Sequence, residues 1–166
     1  MHKLTFTFIK IFVVFIQNPA AERNKRGKKE KGGTLLFTGI NHIGIVVKDI
    51  DTWVDFLSRA FGAQEVGRVD LPEMGQCSCV MAMNGQKVFE LMMPIGETGV
   101  VAKYLETHGE GFHHISVKTD AYEADTEQLH GSGVKTLSEV ALQGGRMSFT
   151  HPKTSRGILF EIAEQV

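Results

Sequence analysis

Two cysteines, four prolines and one tryptophan are all that the 166 residues hold of those types. So little cysteine excludes a disulfide-stapled scaffold. Cys77 and Cys79 share a strand face but lie too close in sequence for ordinary disulfide geometry. C-x-C with no further cysteine makes no thiolate zinc site either. The expected state is two buried thiols in a reducing cytoplasm. Collagen-like composition is absent, and so is any glycine-rich loop of the kind that cradles phosphate. The apolar stretch 4–16 is interrupted by Lys10 and is too short to span a bilayer.

Charge of one sign is missing only in the sum, which is -1. Residues 1–34 carry eight basic and two acidic side chains, or +6, and the remaining 132 carry ten and seventeen, or -7. A body that acidic repels phosphate backbones, which excludes nucleic acid as its partner. Residues 1–34 are therefore read as an extension outside the fold, with no membrane role for the domain that follows. Lys31-Gly32-Gly33 is what a purine-rich ribosome-binding site spells when translated, and Leu35 or Leu36 can each stand for a UUG start. Upstream sequence or a dispensable tail is the expectation; a signal or membrane-surface anchor is the alternative.

What the chain does have is an internal repeat. Gly39-Ile40-Asn41-His42-Ile43-Gly44-Ile45 lies over Gly111-Phe112-His113-His114-Ile115-Ser116-Val117 at an offset of 72. Val88-Phe89-Glu90-Leu91 lies over Leu159-Phe160-Glu161-Ile162 at an offset of 71. Each half opens on a strand with a histidine and closes on a strand with a glutamate. Between them, Asp49 or Asp51 caps a helix with Trp53, Val54, Leu57, Ala60 and Phe61 on its apolar face, stopped at Gly62. Strands are expected near 64–71, 76–84 and 86–93, with Asn84-Gly85 as a hairpin turn. Residues 99–107 form a short linking helix. The second half has a strand at 111–118, a helix at about 121–130, and strands near 134–142, 145–150 and 158–164. The fold class is α+β: a single domain over 35–166, made of tandem βαβββ modules at about 38–95 and 109–165. Together they form an open eight-stranded cup.

Strand parity sorts the side chains. Ile43, Ile45 and Val47 share one face, and His42 and Gly44 the other. Ile115 and Val117 oppose His114 and Ser116, as Phe89 and Leu91 oppose Glu90 and as Phe160 and Ile162 oppose Glu161. The apolar faces suit the helices. His42, Glu90, His114 and Glu161 then meet on the concave face. A lone strand histidine is usually packed or solvated, but four residues repeated at matched spacing are not explained that way. Two imidazoles and two carboxylates make a divalent-metal site, with cobalt, manganese, nickel or zinc as candidates. His113 has the opposite parity and is left outside it; His108, His130 and His151 fall in helix ends or loops.

These residues resemble the vicinal oxygen chelate superfamily and, within it, the methylmalonyl-CoA epimerases. The resemblance rests on Asn41 to Ile45, Pro72-Glu73-Met74-Gly75, Ala102-Lys103-Tyr104-Leu105, Gly111 to Ile115, His151-Pro152-Lys153 and Gly157 to Glu161. It implies a metal held by His42, Glu90, His114 and Glu161. The implied reaction is metal-dependent inversion of the alpha carbon of methylmalonyl-CoA by proton abstraction beside the thioester carbonyl, through an enolate. Glu161 is the implied base on one face of the carbon, with Glu90 serving the other. Ser78 stands where some relatives carry a second glutamate. Lys103, Arg146, Lys153 and Arg156 are candidates for substrate phosphates, and a homodimer is implied. The alternatives are a glyoxalase I-like lyase acting on a thiol conjugate, and a non-catalytic small-molecule binding module.

Overall fold

The computed structural model describes residues 37–137, 139–142 and 145–165. The reading of 1–34 as an extension lies outside these residues. The first half runs β1 (Gly39–Val46), α1 (Ile50–Phe61), β2 (Gln64–Leu71), a single 3₁₀ turn (Pro72–Met74), β3 (Gln76–Met83) and β4 (Gln86–Pro94). After the linking helix α2 (Val100–His108) the second half runs β5 (Gly111–Thr119), α3 (Tyr122–Gly131), β6 (Val140–Leu142), β7 (Gly145–Phe149) and β8 (Phe160–Glu164).

Local signals set these boundaries. Asp49 caps α1, its carboxylate accepting from the Thr52 amide at 2.6 Å, a contact worth about 1 kcal/mol. Gly62 ends the helix in the left-handed region at φ 68°, where a side chain would be strained. Asn84 and Gly85 both have positive φ, 53° and 73°, which is what a two-residue hairpin between twisted strands requires.

All eight strands belong to one sheet, in the order β2-β3-β4-β1-β5-β8-β7-β6. Each module keeps its first strand beside its last, parallel: β1 beside β4 and β5 beside β8. The modules meet where β1 pairs antiparallel with β5. This is the tandem βαβββ cup that the repeat implies. The convex face of the first module packs on α1: Val47, Ile50, Leu57, Cys79, Met81 and Leu91 form its buried core. Each large apolar side chain removed from water contributes about 1.5–3 kcal/mol. Cys77 and Cys79 are free and buried. On the concave side, α2 closes one end of the cup, with Val101 against Val46 and Met92.

One strand differs from expectation. Among the described residues of 134–142 the pairing is an isolated bridge, Thr136 to Thr150, and then the three-residue β6. The register changes by one residue between the Thr136–Thr150 bridge and the Val140–Met147 pair. No described helix is long and apolar enough to cross a membrane.

Candidate active site

The four central strands each deliver one polar side chain to the concave face: His42 from β1, Glu90 from β4, His114 from β5 and Glu161 from β8. The register explains their meeting. Gly44 is opposite Glu90 on one side and His114 on the other. Ser116 is opposite His42 on one side and Glu161 on the other. His42 Nε2 lies 2.9 Å from Glu90 Oε2, 3.2 Å from His114 Nε2 and 3.8 Å from Glu161 Oε1. His114 Nε2 is 3.7 Å from Glu161 Oε2 and 4.0 Å from Glu90 Oε2. The Ser116 hydroxyl donates to Glu161 Oε1 at 2.6 Å.

The surroundings treat the two carboxylates differently. Burial pushes the Glu161 carboxyl above its ordinary range, against the opposing pull of His42 and the Ser116 hydroxyl. Burial also acts on Glu90, but the His42 hydrogen bond and charge, with help from Ser78, hold it below that range. Burial pushes His114 down to about 3. It also lowers His113.

The donor set fits a divalent cation. One ligand atom from each of the four residues lies within 4.8 Å of the others; opposite donors about 2.0–2.2 Å from a shared ion stand about 4.0–4.4 Å apart, so a small side-chain contraction would bring all four onto one ion. Glu90 and Glu161 are 17% and 7% exposed, and among the described residues their ion-pair partners are His42 and His114 alone. Buried carboxylates are normally paired or bound to metal. Space is kept as well: a Cβ on Gly44 would stand 2.2 Å from the His114 ring.

Residues 41–150 match the Glyoxalase/Bleomycin resistance protein/Dioxygenase superfamily. This chain belongs to that superfamily. It is 32% identical over 129 residues to the human mitochondrial methylmalonyl-CoA epimerase, covering 75% of this chain and 73% of the relative. The crystal structure of methylmalonyl-CoA epimerase from Mycobacterium tuberculosis superposes with a TM-score of 0.74 at 27% identity, over 81% of this chain and 93% of that one. A Streptomyces coelicolor methylmalonyl-CoA epimerase in complex with 2-nitronate-propionyl-CoA gives 0.70 at 30% identity, over 78% and 99%.

In this superfamily member a cavity of about 670 Å³ opens above the four residues, lined among others by Glu73, Gln76, Lys87, Met92, Val101 and Phe149. Of the four cations named as phosphate candidates, Arg146 alone lines it. Its guanidinium is already held by Glu164 at 2.7 Å and Glu123 at 2.6 Å, over the Tyr122 ring. Lys103, Lys153 and Arg156 are exposed and do not line it. Lys87 does, and sequence reasoning missed it. The pairing of β3 with β4 slips by one residue between Met81–Phe89 and Ala82–Lys87. Val88 is the extra residue, and beyond it Lys87 turns to the concave face. No ion pair engages Lys87 among the described residues. Ser78 is buried on β3 and accepts from Gln76 Nε2 at 2.9 Å. His130 meets Thr136, His108 stacks on Tyr104 and His151 lies in a turn, all away from the cluster.

The buried imidazole makes a prediction for the metal-free protein. His114 has a folded value of about 3 against an ordinary 6.5, so below about pH 6.5 the unfolded chain binds a proton that the folded chain refuses. Its contribution is complete above 6.5 and declines toward 3, with a slope of about 1.4 kcal/mol per pH unit. Glu161 acts in the opposite sense: its raised value lets the folded chain bind a proton first, so its contribution grows as pH falls toward the ordinary carboxylate value. Urea unfolding in the presence of chelator should therefore show lower stability at about pH 6 than at about pH 7. H114N should flatten that limb.

Proposed function

We propose that this chain is a methylmalonyl-CoA epimerase-type isomerase. It inverts the carbon alpha to the thioester by removing and returning one proton. The observation that carries the reading is the place of Glu161: a deeply buried carboxylate within the four-residue cluster at the floor of the cavity, with one oxygen held by the Ser116 hydroxyl. A general base must stand within reach of the proton that it removes, and a carboxylate on the cavity floor meets that condition. A divalent ion held by His42, Glu90, His114 and Glu161 supplies the Lewis acidity that makes a carbon acid next to a thioester acidic enough to react. The metals that suit this nitrogen and oxygen set are cobalt, manganese, nickel or zinc.

The residues divide the remaining work. Glu161 Oε1 is occupied by the Ser116 hydroxyl, which leaves Oε2 to accept the alpha proton. Glu90 serves the opposite face. Met92, Val101 and Phe149 exclude water from the acyl group. Lys87 is the uncommitted cation for the anionic part of an acyl-CoA. The free, buried thiols suit a reducing cytoplasm, and a homodimer completes the reading.

The test is exchange in deuterium oxide with metal-loaded protein. Deuterium should enter the alpha position of methylmalonyl-CoA during turnover, with both epimers formed. Isomerisation of the methylglyoxal–thiol adduct with no alpha exchange in the acyl-CoA would replace this reading with the glyoxalase I-like one. Neither reaction, with tight binding of an acyl-CoA, would leave a binding module.

A further inference from the structure

Both modules carry the same irregularity one residue before their site histidine. The β1–β5 pairing shifts register between Ile40 and His42, leaving Asn41 unpaired, and again between Gly44 and Ile45, leaving His113 unpaired. Such an extra residue re-aims its side chain. At Asn41 the result is a side chain on the cavity wall. At His113 the result is a contact: its Nδ1 lies 2.9 Å from Nδ1 of His114. The ring is held from the other side by Tyr104 of α2, edge-on at 4.8 Å between centroids.

Hydrogen-bond arithmetic fixes the protons along this row. Glu90 Oε2 is an acceptor, so His42 Nε2, 2.9 Å away, carries the hydrogen. His114 Nε2 faces that same N–H at 3.2 Å and must present a lone pair, since two N–H groups cannot point at each other. Its single hydrogen then sits on Nδ1 and has one partner within reach, His113 Nδ1, which must accept and keep its own hydrogen on Nε2.

We infer that His113 is a positioning residue: it accepts the Nδ1–H of His114 and so keeps the Nε2 lone pair of His114 directed into the four-residue cluster, where it faces His42 Nε2 at 3.2 Å in the metal-free chain. The inference rests on the metal reading of the cluster for its function, but not for the proton assignment. A metal-ligating imidazole normally has its far N–H bound, and loss of that partner weakens metal affinity by about 10–100-fold. The two site histidines are then unequal. His114 is already in the ligating tautomer, whereas His42 must move its proton to Nδ1 before it can ligate through Nε2.

The experiment combines 15N-histidine NMR of the full chain with zinc affinity measured by chelator competition. Metal-free wild type should show His114 protonated on Nδ1 and His42 on Nε2. Zinc should switch the tautomer of His42 and leave that of His114 unchanged. H113L should bind zinc about 10–100-fold more weakly. H113N places an amide oxygen where Nδ1 was and should stay within a few fold of wild type. A wild-type His114 protonated on Nε2 overturns the inference, and so does an H113L affinity equal to wild type. If H113L does not fold, the wild-type spectrum decides alone. Wild type that binds no divalent ion removes the metal reading, while the tautomer still tests the proton assignment.

Discussion

Glu161→Gln should lose about 10²–10⁴-fold of turnover on methylmalonyl-CoA, the range typical of removing a positioned acid–base group. The same variant should keep much of its metal. The amide oxygen can still accept the Ser116 hydroxyl that now reaches Oε1 at 2.6 Å, and it can still act as an oxygen ligand. What it cannot do is take up a proton from carbon at neutral pH. Metal content by elemental analysis and turnover measured on the same preparation separate the two roles. Full metal with near-normal turnover would remove Glu161 as the base. Loss of metal and turnover together would make it chiefly a ligand.

Gly44→Ala should be nearly as damaging, although it adds one methyl group. A Cβ there would meet His114 Cε1 at 2.2 Å, Nδ1 at 2.4 Å and Nε2 at 2.7 Å. His114 cannot step aside easily. It is 1% exposed and is packed edge-on against His42, His113 and Phe149. Overpacking of this kind costs about 1–3 kcal/mol, and the displaced imidazole leaves the cluster one donor short. Metal affinity should fall by at least about tenfold, with activity following it. Gly67→Ala is the matched control, because nothing lies within 4 Å of a Cβ there. Calorimetric metal titration of both variants checks this. Equal affinity in G44A and wild type would show that the glycine keeps no room for the cluster.

The convergence of His42, Glu90, His114 and Glu161 was legible because it is written twice. Repetition turns a weak signal, one histidine on a strand, into a pair related by the fold's own symmetry. The strands that carry them were legible from the alternation of Ile43, Ile45 and Val47 or of Phe89 and Leu91 with polar neighbours. Lys87 and His113 were not, for a shared reason. A bulge is decided by the partner strand, since it exists only as a mismatch in count between two segments. The period within one strand cannot reveal it, so every residue beyond Val88 is assigned to the wrong face. Arg146 was legible as a cation and does line the cavity; that Glu123 and Glu164 close around it was not legible. Residues 134–142 read as one strand because their composition permits it. The register shift lies in the pairing between Thr136–Thr150 and Val140–Met147, which no property of the segment alone encodes.

The antiparallel pairing of β1 with β5 is the one ladder that joins the two halves among the described strands. Each half brings one imidazole and one carboxylate to it, and neither half owns a complete set. A chain emerging from the ribosome therefore carries no partial catalyst: with the first module folded and the second still unmade, two of the four groups do not yet exist.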